Sequence, residues 1–489
     1  MTQVSREILG KINLTFKTDR EGSDKKTSSS LVTFISTYFI VAIMVMILTP
    51  PLQTADSVSH FQREYIISSG NLFADGKFQI PNSLVRFEKN WALPYNVKVV
   101  QSQFRESETM SFGGPTSIAV DSTSIYQPAM YLPAAIFIDI ARLATDKIII
   151  SYYFAELGNL LVFLFLVRWS LRKISLKLRR LFMLLLFFPM SISLSVSTNP
   201  DCLLIGFAFA AAAAMFANYI EQLNEDKEKH LITFQFLRSN LSEIKIYKYE
   251  VVFFVFFFFL CTEKPVYLPL VFLPQLIDLY EGRFKRYVYC VLFQLVTSMF
   301  GFYIWTRFIS LSLSSGSVNN QRVIGNIGQF ALIVCRTVAR DYNFIWTSCI
   351  GILGWLQAPL PGWFYVFWNL TLIFAFVLSV KWSRLIKKNI VLIAATLVCC
   401  ALIIFAISWS QYVAYTPQGS QFINGFQGRY LLEILPFSAL SISFTFPKNN
   451  LENEGLDKYS YLEAPLVSAI ALVVLIALSS CLLGYYWLT

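Results

Sequence analysis

Charge is scarce in this chain. Asp, Glu, Lys and Arg make up 14% of its 489 residues, where soluble domains run near a quarter. Histidine is scarcer still: only His60 and His230 occur, far apart, which argues against a zinc site built on imidazoles. The eight cysteines lie mostly inside apolar runs, as Cys399 and Cys400 do, so they do not read as a disulfide framework. No small-residue cleavage site follows the first apolar run, which begins at Leu31 after a polar, charged start. That run therefore reads as a retained helix and not as a signal peptide. No internal repeat and no low-complexity tail is visible.

What the chain has in abundance is apolar surface. Hydrophobic residues make up 55% and aromatics 16%, with Phe alone occurring 45 times. A soluble protein of this length could not bury so much, so lipid must be the solvent for much of it. The net charge is +10, carried in short basic clusters between apolar runs. That is the pattern of membrane topology, not of a nucleic-acid surface.

The reading is an all-α integral membrane protein with eleven spans, near 31–52, 148–168, 181–198, 200–220, 250–262, 265–280, 287–306, 362–380, 389–409, 430–446 and 464–487. Some fall short of the ~20 residues a span needs. The pair at 250–280, split by Thr262-Glu263-Lys264-Pro265, reads as broken or tilted helices facing protein.

Charge sets the orientation. Arg6, Lys11, Lys17, Arg20, Lys25 and Lys26 place the tail 1–30 in the cytoplasm, which puts 53–147 outside. Residues 126–145 are apolar enough to span, but a span there would put Arg168, Arg172, Lys173, Lys177, Arg179 and Arg180 outside. The segment is read instead as an interfacial helix, which suits Asp139, Arg142 and Asp146. By the same reasoning, with Lys381, Arg384, Lys387 and Lys388 beyond it, 343–358 reads as half-embedded. Arg283, Lys285 and Arg286 then fall inside and the C-terminus outside. The division is a first helix 31–52, an outer loop 53–147, helices through 148–306, an outer segment 307–361, and helices in 362–489 with an outer loop 410–429.

Four outer stretches carry candidate chemistry. In Pro50-Pro51-Leu52-Gln53-Thr54-Ala55-Asp56, the acid sits just past the first helix. A carboxylate at that depth is partly desolvated and suits a general base, or it simply caps the helix that follows. His60, four residues on, would share its helix face. Tyr126 and Tyr131, spaced with Pro128 and Pro133, read as interfacial anchors or sugar contacts. Ser197-Thr198-Asn199-Pro200-Asp201 reads as a turn between spans or as a substrate contact. Arg429 is the only charge in 410–429, placed where a helix enters the membrane. Its fork suits a phosphate, and so, as a point charge, does Lys264; both also suit lipid headgroups.

Together these stretches resemble the GT-C superfamily of membrane glycosyltransferases, in particular a bacterial membrane group related to the glucosyltransferases that decorate O-antigen. Asp56, His60 and Phe61 match the group's Pro-Asp-Glu-Pro-x-His-Phe run, with Ser57 in place of its second acid. Tyr126, Pro128, Tyr131 and Pro133 match its Tyr-Pro run, Asn199 and Asp201 its polar turn, and Lys264, Pro265 and Tyr267 its Lys-Pro-x-Tyr. Gly354, Trp355, Leu356, Leu360 and Pro361 match another run, and Gly425, Gln427, Gly428, Arg429 and Tyr430 its Gly-x-Gln-Gly-Arg-Tyr.

The resemblance implies a helical bundle with an outward-facing cavity in a bacterial inner membrane. It also implies a polyprenyl-phosphate sugar donor, with glucose the expected sugar, and a lipid-linked polysaccharide acceptor. Asp56 would be the catalytic base, and Arg429 with Lys264 would hold the donor phosphate. His60, Tyr126, Tyr131, Asn199, Asp201, Trp355 and Gln427 would support catalysis or bind sugar. No cofactor is expected. A divalent metal stays open, because Asp56, Asp121 and Asp201 all fall outside. The rival classes are a transporter or flippase, and an O-antigen polymerase or ligase using Arg322, Arg336 and Arg340.

Overall fold

Long apolar runs have one way to satisfy their backbone in lipid without partners, and this chain takes it by folding almost wholly into helices. The computed structural model describes residues 29–72, 77–93, 97–120, 123, 126–223, 232–233, 245–308, 326–379, 390–417, 419–443 and 463–488. The basic tail, Asp121, Arg322 and the cluster Lys381–Lys388 lie outside the described residues.

Six described helices are long and apolar enough to cross a membrane: α1 (Ser29–Leu48), α6 (Ile148–Lys173), α9 (Asp201–Leu223), α12 (Phe284–Phe308), α15 (Ile390–Tyr415) and α17 (Glu463–Leu482). A seventh span results if α7 (Leu176–Leu186) and α8 (Pro189–Ser195) are taken together, although they are bent by 73° at Pro189. This is fewer than the expected eleven. At 250–262, α10 (Lys248–Glu263) has only 16 residues and stops at Pro265, which has no N–H with which to continue the ladder. At 265–280 a 3₁₀ stretch Pro265–Phe272 is followed by the short α11 (Leu276–Tyr280). The helix α14 (Gly362–Ser379) is a short apolar one, and the described residues at 428–443 form the 3₁₀ turn Gly428–Leu431 and α16 (Leu435–Ser443).

The segment read as half-embedded, 343–358, comprises the end of a 25-residue helix, α13 (Ile327–Gly351), running into a hairpin in which Ile352–Leu353 pairs with Ala358–Pro359. Gly354 and Leu356 take positive φ in its turn.

The central helix is α9. Ala208 and Ala210 to Ala214 are fully buried, and small side chains of this kind let helices approach closely. At Gly206 a Cβ would come within 2.9 Å of Leu166 on α6. The segment between α1 and α6 carries α2 (Ser57–Ser68), α3 (Asn82–Trp91), α4 (Gln101–Thr109), α5 (Leu132–Arg142) and an antiparallel ladder of Lys77–Pro81 with Thr116–Val120. The helix expected at the interface is α5. Ala134, Ile138 and Ala141 face inward, while Ile136, Ile140 and Leu143 are exposed. It seats on α6 at Gly158, where a Cβ would lie 2.7 Å from the Pro133 carbonyl.

The bundle has two chemically different ends. The carboxy end of α6 meets the start of α10 through Lys173 and the Tyr249 hydroxyl, 3.2 Å apart. Arg286 there bonds both Glu250 and Asp278, and Arg283 reaches Asp278 at 2.8 Å. The other end gathers the end of α1, the start of α9 and the end of α10.

Candidate active site

At that second end, four separate stretches place charged side chains against one another. Asp56 arrives on the turn after α1, Asp201 on the first residue of α9, Lys264 just after α10, and Arg429 on the 3₁₀ turn after α15. Arg429 Nη2 donates to Asp56 Oδ2 at 2.7 Å, and Arg429 Nε lies 3.9 Å from Asp201 Oδ2. Lys264 donates to Asp201 Oδ1. Both cations also lie against the Tyr430 ring, Lys264 at 5.3 Å and Arg429 at 5.2 Å from its centre. Two carboxylates and two cations thus form one charge-balanced group.

Burial within the group is uneven. The side chain of Asp56 is 51% exposed, against 5% for Arg429 and 6% for Asp201. Arg429 keeps Nε and Nη1 buried with no hydrogen-bond partner. Desolvating guanidinium N–H groups without partners is costly, and the Asp201 carboxylate 3.9 Å from Nε offsets part of that cost.

Asp56 does not cap its helix. It occupies the N-cap position at φ 62°, in the left-handed region, with no side-chain cap bond. Leu52 is also left-handed, at φ 63°. Such backbone persists only where its surroundings over-determine it, and here five side chains hold the segment 52–57. The Leu52 N–H donates to the Tyr152 hydroxyl at 3.0 Å, and its carbonyl accepts from Trp355 Nε1 at 3.3 Å. Gln53 Nε2 donates to the Trp91 carbonyl at 2.6 Å. Asn199 Nδ2 donates to the Ala55 carbonyl at 3.3 Å, and Thr198 Oγ1 to that of Ser57 at 3.2 Å. Asn199 also accepts the Asp201 N–H at 2.9 Å, so one side chain ties the two acids' backbones together.

His60 lies in the first turn of the helix that follows Asp56, and its Nδ1 pairs with the Tyr131 hydroxyl at 2.8 Å. Burial lowers the imidazole to about 4, with Asp56 and Asp201 pulling upward and Arg429 and Lys264 downward, so the ring is neutral near pH 7. The Tyr126 ring lies 5.8 Å from that of His60, and burial raises its hydroxyl above the ordinary value. The Gln127 N–H donates to Glu263 Oε2 at 3.0 Å, which fixes the Tyr-Pro segment to the end of α10.

Of the remaining candidates, Gln427 has a buried, unpartnered Oε1, and Trp355 is half-exposed with its indole N–H on Leu52. Arg340 pairs with Asp341 at 2.7 Å and stacks on Phe422 at 4.0 Å, away from the group above. Among the described residues no cluster of three or more His, Cys, Asp or Glu is arranged to hold a metal.

Sequence reasoning passes over Glu433, which is 1% exposed and leaves Oε2 buried without a partner. It follows Arg429 by four residues, a spacing that offers the signal, but it falls inside an apolar stretch. Thr198 belongs to the polar break 197–201, but its reach to a distant carbonyl is not readable there, because a Thr in a turn looks the same whether or not it holds one.

Residues 39–438 match the family described as predicted membrane protein (DUF2142), a range that takes in every member of the charged group. No curated protein and no solved structure matches the chain. The match covers most of the chain, which therefore belongs to the DUF2142 family of membrane proteins.

Proposed function

We propose that the protein is a GT-C-type glycosyltransferase of a bacterial cytoplasmic membrane, moving a sugar, with glucose favoured, from a polyprenyl-phosphate donor to a lipid-linked polysaccharide on the outer face. The observation that carries this reading is the direct pairing of Asp56 with Arg429, two residues 373 positions apart in the chain. The first suits a base and the second a phosphate, and the reaction needs the two side by side.

In the proposed step, Asp56 takes the proton from an acceptor hydroxyl as its oxygen bonds to the anomeric carbon. The bond from that carbon to the phosphate oxygen breaks, and its electron pair leaves on the phosphate. Arg429, held from behind by Asp201, steadies the growing charge. Lys264 supports the site through Asp201 and through the Tyr430 face. A phosphate leaves without protonation, so no second acid is required. His60, neutral and bonded to Tyr131, orders the pocket wall or contacts sugar.

The test is transfer of radiolabelled glucose from polyprenyl-phosphate glucose to a lipid-linked O-antigen acceptor, in membranes containing wild type or Asp56→Asn. Loss of transfer in the variant at equal expression supports both the reaction and the base. Transfer by both discards Asp56, and no transfer by wild type sends the search to other sugars and then to transport.

A further inference from the structure

Asp56 and the substrate phosphate, as proposed above, would need the same seat. One carboxylate oxygen of Asp56, Oδ2, already sits on Arg429 Nη2 at 2.7 Å, the place a donor phosphate would take, and that bond fixes which way the carboxylate faces. Asp56 is also the most exposed of the four charged groups, at 51%, while the others stay buried at 17% or less. The exchangeable member is therefore the carboxylate and not the guanidinium. Arg429 adds two further N–H-bearing nitrogens, Nε and Nη1, that are buried without hydrogen-bond partners. Asp56 engages Nη2 alone, whereas a tetrahedral phosphate can bridge two guanidinium nitrogens along one edge and so take up a further N–H.

We infer that Arg429 is an oxyanion seat which Asp56 occupies in the resting protein and a phosphate ester displaces it from. The inference rests on the glycosyltransferase reading for its substrate. It deepens that reading by making donor binding the event that releases the carboxylate from Arg429 and lets it turn to the acceptor. The donor then binds before the acceptor, and the base is held back until a phosphate is in place, which limits wasteful attack by water. Asp201, bonded to Lys264 and lying 3.9 Å from Arg429 Nε, keeps the guanidinium in position during the exchange.

A counterintuitive result follows. Removing the proposed base should tighten phosphate binding while ending transfer. The full-length protein in nanodiscs is titrated with polyprenyl phosphate, and separately with inorganic phosphate, for wild type, Asp56→Asn, and Asp56→Asn combined with Arg429→Gln. Asn is chosen because it tolerates the left-handed backbone at this position; Asp56→Gly serves as the second variant, and monodispersity checks folding. The seat predicts about tenfold tighter polyprenyl-phosphate binding by both single variants, the worth of one charge-assisted contact, and loss of that gain in the double variant.

A gain for polyprenyl phosphate alone assigns the seat to a lipid-borne phosphate, and an equal gain for inorganic phosphate assigns it to phosphate in general. Equal or weaker binding by both single variants overturns the exchange, and leaves the transferase reading to its own assay. Tighter binding by the variants with no glucose transfer by wild type keeps the seat and sends the transferase reading to other sugars, then to transport. No binding by any form overturns both.

Discussion

The imidazole of His60 meets the Tyr131 hydroxyl at 2.8 Å, and the two rings stack 5.9 Å apart, joining the helix after α1 to the start of α5. Burial holds the folded histidine near 4, below the 6.5 of a free side chain. Between those values the unfolded chain binds a proton that the folded chain refuses, so stability present above pH 6.5 is lost as pH falls towards 4. The whole shift is worth about 3 kcal/mol. Thermal midpoints of the purified protein at pH 7.5 and pH 5 should differ more for wild type than for His60→Gln. An equal difference in the two proteins would show that other groups carry the acid sensitivity.

Asn199 and Thr198 touch no candidate reacting atom, yet they hold the carbonyls of Ala55 and Ser57 on either side of Asp56. On the proposed transferase reading they position the carboxylate. Thr198→Val removes one hydrogen bond of about 1 kcal/mol and keeps the shape. The turnover of donor should drop several-fold, with its KM little changed and the melting midpoint within a few degrees. Thr198→Ser should restore turnover. A variant with normal turnover would reduce Thr198 to packing.

Much of this arrangement is legible in the order of residues alone. The scarcity of charge announces a membrane protein, and the motif residues Asp56, Asp201, Lys264 and Arg429 do lie together. The span count is less legible, because hydropathy reports burial in any apolar medium. Over 265–280 and 430–443 the apolar run is broken into short helices, and Tyr267, Leu270 and Phe437 there are fully buried against the rest of the protein. The left-handed turn at Asp56 is hidden as well. Nothing in the string Leu52-Gln53-Thr54-Ala55-Asp56 signals positive φ, since the forces that impose it come from Tyr152, Trp355 and Asn199, distant in the chain. For the same reason, the pairing of His60 with Tyr131 in place of Asp56 is open to view only in three dimensions.

Gly428 is the hinge on which Arg429 is set. A Cβ there would run into the Ile345 carbonyl and the Cys349 backbone nitrogen, and would come within 2.7 Å of Ser348 Oγ, which accepts the Gly428 N–H at 2.9 Å. Two of these neighbours are backbone atoms of α13 and yield only if the helix moves. Gly428→Ala should destabilise the protein by about 3 kcal/mol or more and displace Arg429 from Asp56. Gly484→Ala, with no atom within 4 Å of its Cβ, is the matched control and should be close to neutral. Equal melting midpoints for the two variants would contradict the packing described at Gly428.

The ion network at the opposite end offers the complementary test. Arg286 bonds both Glu250 and Asp278, which are 6% and 0% exposed, and Gln275 Nε2 adds a bond to Glu250 at 3.1 Å. Removing the cation leaves two buried carboxylates short of their partner, and losses of this kind run to about 3–5 kcal/mol. Arg286→Met should therefore lower the melting midpoint strongly and reduce yield. Part of that loss should return in Arg286→Met combined with Glu250→Gln, because one of the stranded charges is gone. Since the network lies at the far end from Asp56 and Arg429, transfer and phosphate binding per folded molecule should match wild type. A variant that melts normally but transfers poorly would mean that the basic end takes part in the reaction, and that separating a structural end from a catalytic one is wrong.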